Sequence, residues 1–220
     1  DYRDSNGVSE DNSESLYNGE LSLQYSLGDN TFAYLTLALA NKPGGVNVAA
    51  SSQFAFMSPD FQGFMQGNLR FEDERLFSRE LGLKTRLLDN RLAMRASLFY
   101  TTRDGAQLEN WMWDEGAGLW IGYLDTQSDA RAYGLELETT YDLGEAVQVF
   151  ANLGWLETEV DTIRTFDLDA GDFVSKRNRE QTKSPQYQYN VGVRALLPSG
   201  FSASIEAEGR DDSYYGYYHD

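Results

Sequence analysis

The sequence contains no cysteine and a single histidine, His219, next to the last residue. The absence of cysteine excludes disulfide bonds, thiolate metal ligands and cysteine nucleophiles. One imidazole at this position leaves none for a Ser-His-Asp triad, a zinc site or a two-histidine iron site. The glycine-rich motifs of nucleotide-binding proteins and the nucleophile motif of α/β-hydrolases are also missing. We therefore expect no catalytic residues, no cofactor and hence no enzyme.

Basic residues are few, since 18 Lys and Arg stand against 35 Asp and Glu and give a formal net charge of −17. This balance excludes a nucleic-acid partner held by phosphate attraction. No apolar run approaches the roughly 18 residues of a membrane-spanning helix. The acidic stretch 167–172 lacks the glycine and glutamate spacing of an EF-hand, so we expect a solvated loop and no metal site. With 41% hydrophobic and 14% aromatic residues, the chain is nevertheless too apolar to be disordered.

The sequence does contain a clear alternation with a period of two residues. Residues 20–27 place Leu or Tyr on one parity and Glu, Ser or Gln on the other, which is typical of a strand with one apolar face. Across all such segments, the apolar parity carries one charged residue, Arg79, and the opposite parity carries 13. The pattern predicts eight strands, at residues 20–27, 32–39, 77–87, 91–101, 133–143, 147–155, 187–195 and 201–210.

Short and long connections alternate between these strands. The short connections contain Gly, Asn, Asp or Pro and predict tight hairpins, whereas the intervening ones, at 41–73, 102–130 and 157–185, are long. In a meander, this order places all short turns at one end and all long loops at the other, which is typical of outer-membrane barrels. The strands also reach the roughly 9–11 residues that a tilted membrane strand needs. The predicted fold is therefore all-β, an antiparallel up-and-down transmembrane β-barrel.

The two parities are then expected to face different surroundings. A basic residue on the lipid face at mid-bilayer costs about 2–4 kcal/mol, so an almost uncharged stripe on every strand fits contact with lipid. Aromatic residues near strand ends on this stripe resemble interfacial girdles, although they would also suit the core of a soluble β-sandwich. The polar parity faces a lumen, where its charges form ion pairs, contact other segments or steer a substrate. These lumen-facing residues are Glu80, Lys84, Arg86, Arg95, Glu136, Glu138 and Arg194.

Several segments resemble the C-terminal part of the β-barrel of TonB-dependent outer-membrane receptors. Residues 38–47 (ALANKPGGVN) are similar to the family's Pro-Gly-Gly-x-Asn passage into an extracellular loop. Residues 74–85 (ERLFSRELGLKT), 88–92 (LDNRL) and 97–100 (SLFY) resemble its Gly-x-Lys strand, short turn and Phe-Tyr strand. Residues 133–138 (YGLELE) resemble its Gly-x-Glu-x-Glu strand, and residues 184–187 (SPQY) with 190–194 (NVGVR) resemble its Pro-led return from a late loop.

This resemblance implies a protein of the bacterial outer membrane that imports a scarce solute such as a ferric siderophore, haem, cobalamin or an oligosaccharide. It implies outer-membrane lipid, lipopolysaccharide and the TonB complex as partners, the last contacted through a plug domain. A barrel of this family has 22 strands, which at this strand density needs on the order of 600 residues. We therefore expect residues 1–220 to be part of one β-barrel domain, a fragment of about eight strands that lacks the plug domain and the final strands. A small closed eight-stranded outer-membrane barrel with a structural or adhesive role is the alternative.

The tryptophans of the connection 102–130 are the candidate ligand-binding residues. Trp111, Trp113 and Trp120 lie among polar residues that include Asn110, and a solvated loop does not need so many aromatics. They could stack on a sugar or a catecholate, or they could pack the loop or mark the outer membrane interface. The tyrosines at 214, 215, 217 and 218 have the same two interpretations. In a soluble β-sandwich module, the third possibility, the same tryptophans would bind a glycan.

Overall fold

The computed structural model describes residues 2–3, 9–10, 15–126, 128–167, 169–198 and 200–217. Leu168, Tyr218 and His219, which belong to features of the sequence discussed above, lie outside the described residues. The strands are β1 (Tyr2–Arg3), β2 (Ser9–Glu10), β3 (Gly19–Gly28), β4 (Thr31–Lys42), β5 (Gly45–Val46), β6 (Arg70–Phe71), β7 (Glu74–Leu87), β8 (Leu92–Asp104), β9 (Leu108–Asp114), β10 (Leu119–Asp125), β11 (Ala130–Asp142), β12 (Val147–Asp167), β13 (Asp172–Arg179), β14 (Tyr187–Leu196) and β15 (Ser202–Arg210). Two helices, α1 (Val48–Gln53) and α2 (Pro59–Gln66), and a 3₁₀ turn (Phe54–Phe56) lie between β5 and β6. None of the described helices has the length and apolar character needed to cross a membrane.

Eight long strands form one antiparallel sheet in the order β15-β14-β12-β11-β8-β7-β4-β3. These are the eight strands that the alternation predicts, and their order along the sheet is their order along the chain, so the predicted up-and-down meander is confirmed. The far part of β12 also pairs with β13. Within the described ranges, β3 and β15 do not pair with each other. The sheet is therefore open at both edges, as expected for a fragment of a larger barrel.

The strand register places the apolar parity on one face of the sheet, which we call the outward face. Leu35 pairs with Leu23 on one side and with Leu81 on the other. The same row continues from Leu81 to Leu98 and from Leu98 to Leu135. All five leucines are exposed. A continuous apolar row that is left uncovered across five strands is the surface that contact with lipid requires.

A row of aromatic side chains crosses the outward face near the end of the sheet from which the long connections leave, here called the loop end. The ring centroids of Tyr100 and Tyr133 are 6.2 Å apart, and those of Tyr133 and Trp155 are 5.9 Å apart. Trp155 pairs in turn with Tyr187. The guanidinium of Arg79, the one charge on the apolar parity, lies 5.5 Å from the Tyr100 ring centroid. The aromatic row and this arginine together resemble the girdle at a membrane interface.

The two faces allow a matched test of the lipid contact. Val191 lies on the outward face, four positions from Tyr187 of the aromatic row and away from the loop end. Replacing Val191 by arginine is therefore expected to destabilise the full-length protein in lipid vesicles by about 2–4 kcal/mol. The control is Asn190→Arg, one residue away on the opposite face, where Asn190 pairs with Glu208. Urea unfolding in vesicles measures both variants. Equal stability of the two variants would contradict the assignment of the faces.

The opposite, inward face brings aromatic rings over glycines of the neighbouring strand. Three such cross-strand pairs lie on the inward face among the described residues: Tyr34 with Gly82, Phe99 with Gly134, and Phe150 with Gly192. In each pair a Cβ on the glycine would collide with the ring opposite. The absence of a side chain therefore lets each ring lie flat on the sheet, an arrangement that also covers the exposed glycine backbone. These contacts explain why glycine interrupts strands that are otherwise rich in side chains.

The long connections contain more secondary structure than the alternation predicts. The first forms α1 and α2, the second forms the β9–β10 hairpin, and the third is the extension of β12 to Asp167 with β13. The prediction of β12 ended at residue 155 because the alternation of apolar residues stops there. The extension places apolar residues such as Val160, Ile163 and Phe166 among polar and charged ones without a spacing of two, which the period-two pattern of hydrophobicity does not detect.

Candidate functional site

The three long connections pack against one another at the loop end and form what we call the loop layer (residues 43–73, 105–126, 128–129, 156–167 and 169–186). The ring of Phe64 in α2 stacks on Phe173 of β13 at a centroid distance of 4.3 Å. Phe61 lies 4.8 Å from Phe166 of β12. The layer thus has an apolar core of its own, which joins all three connections. The buried residues of this core are Ala50, Met57, Phe61, Phe64, Met65, Met112, Ile121 and Tyr123.

Buried polar side chains fix the position of the hairpin within the layer. The Asn47 amide donates to the carbonyl oxygens of Asn68 (2.8 Å) and Leu124 (3.0 Å) and accepts from the Leu124 N–H (2.7 Å). The Asp114 carboxylate, fully buried, accepts from the backbone N–H of Ser58 (2.7 Å) and from that of Ala117 (3.1 Å). Both residues connect the first long connection to β9–β10 through backbone groups, and these hydrogen bonds hold the hairpin in place within the layer.

An ion pair joins the loop layer to the inward side of the sheet. Arg103 donates to both carboxylate oxygens of Glu74, at 2.5 and 3.0 Å, and to the side-chain oxygen of Gln181 at 3.2 Å. The backbone N–H of Gln107 donates to the same Glu74 carboxylate at 2.9 Å. Because Glu74 and Arg103 lie on the inward parity of β7 and β8, the layer is fastened to the lumen side of the wall.

Apolar contacts also join the loop layer to the inward face of the sheet. Val160 of β12 and Ala130 of β11 are buried against Leu108 and Ala106 of the second connection. Tyr217, which follows β15, is buried in the same cluster. Burial raises the pKa of the Tyr217 hydroxyl above its ordinary value. The loop layer therefore folds towards the inward face, over the mouth of the space that this face bounds.

The β9–β10 hairpin has one buried and one open face, and the tryptophans lie on the open one. Trp111 is opposite Gly122, so its ring lies against a residue that has no side chain. Trp113 is opposite Trp120, with ring centroids 5.3 Å apart and an angle of 51° between the ring planes. Trp111 and Trp120 are 50% and 54% exposed, whereas Trp113 is half-buried. The hairpin thus presents two indole faces to solvent.

These two indoles line a cleft of about 390 Å³ between the hairpin and the segments around residues 183 and 215. The Lys183 ammonium lies 5.1 Å from the ring centroid of Tyr215. Lys183 itself has a φ of +58° and donates its backbone N–H to the Tyr214 carbonyl at 2.8 Å. The Trp111 indole N–H donates to the Glu109 carboxylate at 2.8 Å. The complete lining is Glu109, Asn110, Trp111, Trp120, Thr182, Lys183, Tyr215 and Gly216.

Asn110 borders the cleft from behind. It is 3% exposed, and its amide donates to the Tyr123 hydroxyl and to the Arg164 carbonyl, both at 3.1 Å. Its side-chain oxygen accepts from the backbone N–H of Trp111 at 3.0 Å. Burial, together with Asp125, raises the pKa of the Tyr123 hydroxyl, which donates to the Arg164 carbonyl at 3.0 Å. The structure therefore gives Asn110 a part in positioning Trp111 from the buried face of the hairpin.

The seven predicted lumen residues all lie on the inward parity, where several of them pair. Arg95 lies 3.4 Å from the Glu138 carboxylate, and Arg194 lies 3.6 Å from that of Glu206. The Glu80 carboxylate accepts from the Tyr34 hydroxyl at 2.5 Å, and the Lys84 ammonium lies 5.0 Å from the Tyr34 ring centroid. Glu136 lines the same shallow groove as Glu80 and Lys84, and Arg86 lies nearer the short turns. The inward wall is thus polar and internally paired.

Four lining residues of the cleft were not predicted from the sequence, namely Glu109, Thr182, Lys183 and Gly216, whereas Tyr215 is one of the tail tyrosines that were given the same two interpretations as the tryptophans. Glu109 could have been found, because it shares the parity of Trp111 and Trp113 once a strand is assigned to residues 108–114. Lys183 lies on a different connection, and Tyr215 lies beyond the last strand. No local pattern relates either one to the tryptophans, so only the packing of the loop layer brings them together.

An open antiparallel meander with a lipid-type outward face, a polar inward face and a folded layer at one end defines a sector of a large transmembrane β-barrel. Residues 1–219 match the family described as TonB dependent receptor-like, beta-barrel. The chain belongs to this family, and the resemblance seen in the sequence is confirmed. Since these receptors are outer-membrane β-barrels, its place is the bacterial outer membrane, with the outward face towards lipid.

Solved structures support the same fold. The chain is similar to the ferric-catecholate import receptor Fiu from E. coli K12, with 17% identity, a TM-score of 0.55 and coverage of 89% of this chain and 25% of that one. It is similar to the copper transporter OprC, with 17% identity, a TM-score of 0.62 and coverage of 89% and 27%. It is also similar to the siderophore receptor PiuA from Acinetobacter baumannii, with 14% identity, a TM-score of 0.61 and coverage of 90% and 26%. The chain thus spans about a quarter of the length of these proteins.

Proposed function

We propose that this chain is the part of an outer-membrane transport receptor that captures a scarce solute at extracellular loops and passes it into the lumen, with import driven by the TonB complex. Membership of the family supports this proposal, as do the names of similar proteins, which are an import receptor, a transporter and a siderophore receptor. The observation that carries it is the tryptophan-lined cleft in a rigid layer that folds over the inward face. The function is transport rather than catalysis, and it needs no resident cofactor.

In this proposal the chain forms one part of a larger receptor. We infer that residues 1–220 belong to one barrel domain of about 22 strands whose lumen holds a plug. The open edges at β3 and β15 support this inference, and they do not favour a small closed barrel. The plug would contact TonB. The aromatic row with Arg79 would face lipid and lipopolysaccharide at the outer interface.

In this proposal the solute first binds in the cleft and then passes along the lumen wall. Trp111 and Trp120 would contact the solute, Trp113 would hold Trp120 at its angle, and Asn110 would hold Trp111. Below them, the paired charges of the inward wall would offer a polar path or a surface for the plug. These residues are Glu80, Lys84, Arg86, Arg95, Glu136, Glu138 and Arg194.

The proposal predicts that a double Trp111→Ala, Trp120→Ala variant of the full-length receptor slows solute uptake by about tenfold, which corresponds to about 1.4 kcal/mol of lost binding. Because the solute is not identified, the measurement follows the depletion of all small molecules from a complex growth medium by mass spectrometry. Cells with the native receptor, with the double variant and without TonB are compared, and Trp155→Phe in the aromatic row is the control. The proposal fails when no solute depends on both the receptor and TonB.

A further inference from the structure

The charges of the cleft narrow the class of ligand. Its lining contains one carboxylate, that of Glu109, and one ammonium, that of Lys183, so the cleft itself is electrically balanced. A polyanion such as a ferric tris-catecholate would find a single cation in the cleft, Lys183, together with a carboxylate, Glu109, that repels it. A polycation would likewise find a single carboxylate and a repelling ammonium. The electrostatics therefore favour an uncharged ligand.

The arrangement of the Trp111 and Trp120 rings narrows the class of ligand further. The Trp111 ring lies against Gly122 and keeps its other face open, and Trp120 is inclined by 51° to Trp113 beside it. Two exposed indoles on one hairpin face, one lying flat and one supported by a neighbour, offer two separate stacking surfaces. Successive rings of an oligosaccharide present one apolar face each, and they can occupy two such surfaces.

The polar groups at the edge of the cleft have the properties that sugar hydroxyls require. Glu109 is oriented by its hydrogen bond from the Trp111 indole, and a carboxylate has a second oxygen that can accept from a ligand hydroxyl. The Lys183 ammonium can donate, and the Thr182 hydroxyl can do both. Because each sugar hydroxyl is both donor and acceptor, the donors and acceptors of the cleft lining can bind sugar hydroxyls through charge-assisted hydrogen bonds.

We propose that the cleft binds an uncharged oligosaccharide, with two sugar rings stacked on Trp111 and Trp120 and with hydroxyls bound by Glu109, Thr182 and Lys183. This inference rests on the proposed function and names the substrate class of the same site. The affinity would come from stacking, and the edge groups would select the ring stereochemistry. For an uncharged ligand, the dissociation constant is expected to change less than twofold between about 0.1 and 1 M salt, because the ligand has no net charge for the salt to screen.

The test uses the full-length receptor in detergent and an array of neutral and acidic oligosaccharides, with the ferric complex of 2,3-dihydroxybenzoate as a competing probe. At least one neutral oligosaccharide is expected to bind, with an affinity about tenfold weaker in the double Trp111→Ala, Trp120→Ala variant and about threefold weaker in Glu109→Gln. The control, Trp155→Phe, is expected to bind as the native protein does.

Three results would overturn the inference: no oligosaccharide binds, binding is unaffected by the tryptophan variants, or only acidic oligosaccharides bind with strong salt dependence. If the ferric complex binds to the native protein and this binding is lost in Trp111→Ala, the ligand of the cleft is a ferric catecholate and not an oligosaccharide. The proposed uptake function would then still stand. Conversely, an oligosaccharide could bind through the tryptophans without being depleted by cells in a TonB-dependent way. That result would support the inference on the ligand and contradict the proposed uptake function.

Discussion

Replacing Glu74 by alanine is expected to lower the free energy of opening of the loop layer by about 3–5 kcal/mol, because Arg103 is left buried without its carboxylate. The side chains of Glu74 and Arg103 are 6% and 19% exposed, so water screens the pair weakly. The Gln107 N–H also loses its acceptor. The effect is predicted for the layer rather than the barrel, since the strands below keep their ladder of backbone hydrogen bonds.

Hydrogen exchange of the full-length protein, read by mass spectrometry at peptides of β9 and β10, measures this opening. Exchange there is expected to be faster by about two to three and a half orders of magnitude, which is the stated free energy at about 1.4 kcal/mol per tenfold. Glu109→Ala, which removes an exposed carboxylate of the same layer, is the control. A double Glu74→Met, Arg103→Met variant is expected to recover most of the protection, because no buried charge is then unpaired. Unchanged exchange in Glu74→Ala would show that the ion pair does not hold the layer.

Replacing Phe64 by alanine is expected to destabilise the loop layer by about 3–5 kcal/mol, the usual cost of removing a buried aromatic ring. Phe64 stacks on Phe173 at 4.3 Å and meets Tyr123 edge-on at 5.5 Å. The Arg164 guanidinium lies 5.2 Å from its ring centroid. Because one ring contacts residues of both the hairpin and β12–β13, its loss opens a cavity at the centre of the layer.

Limited proteolysis of the native protein in detergent gives the measurement, with cleavage expected in residues 43–73 before the barrel strands. The matched control is Phe56→Ala in the same connection, where the ring is 72% exposed and little stability is expected to be lost. Equal cleavage rates for Phe64→Ala and Phe56→Ala would contradict the assigned core. The Phe64 variant should also weaken solute binding, since the Trp111 and Trp120 platform depends on the buried face of the hairpin.

Much of the barrel sector is encoded locally in the sequence. The eight strands follow from alternation of apolar and polar residues, and their turns follow from Gly, Asn, Asp and Pro at the short connections. The two faces follow as well, because a register in which Leu81 faces Leu98 also places Glu80 and Lys84 together on the other side. The position of Arg79 beside Tyr100 is consistent with the same pattern, as charge is tolerated where the apolar stripe ends.

The hairpin shows where local reasoning fails. The sequence left open whether Trp111 and Trp120 bind a ligand or pack the loop, and only the structure places them on the open face of the hairpin, with Asn110 and Asp114 on its buried face. The polar residues can be buried because backbone groups from other connections satisfy them, Arg164 for Asn110 and Ser58 for Asp114. Those partners are 54 and 56 residues away along the chain, so a short window of sequence does not contain both members of a pair.

The sequence by itself determined the strands, their order of turns and loops, the lipid-facing and lumen-facing parities, and the family. The tertiary structure alone decided that the long connections form one layer, that Glu74 and Arg103 fasten it to the inward face, and that Lys183 and Tyr215 meet the tryptophans in a cleft. The physical reason is the range of the interactions. Strand pattern and turn chemistry act between near neighbours, whereas burial, ion pairing and the shape of a cleft depend on residues that only packing brings together.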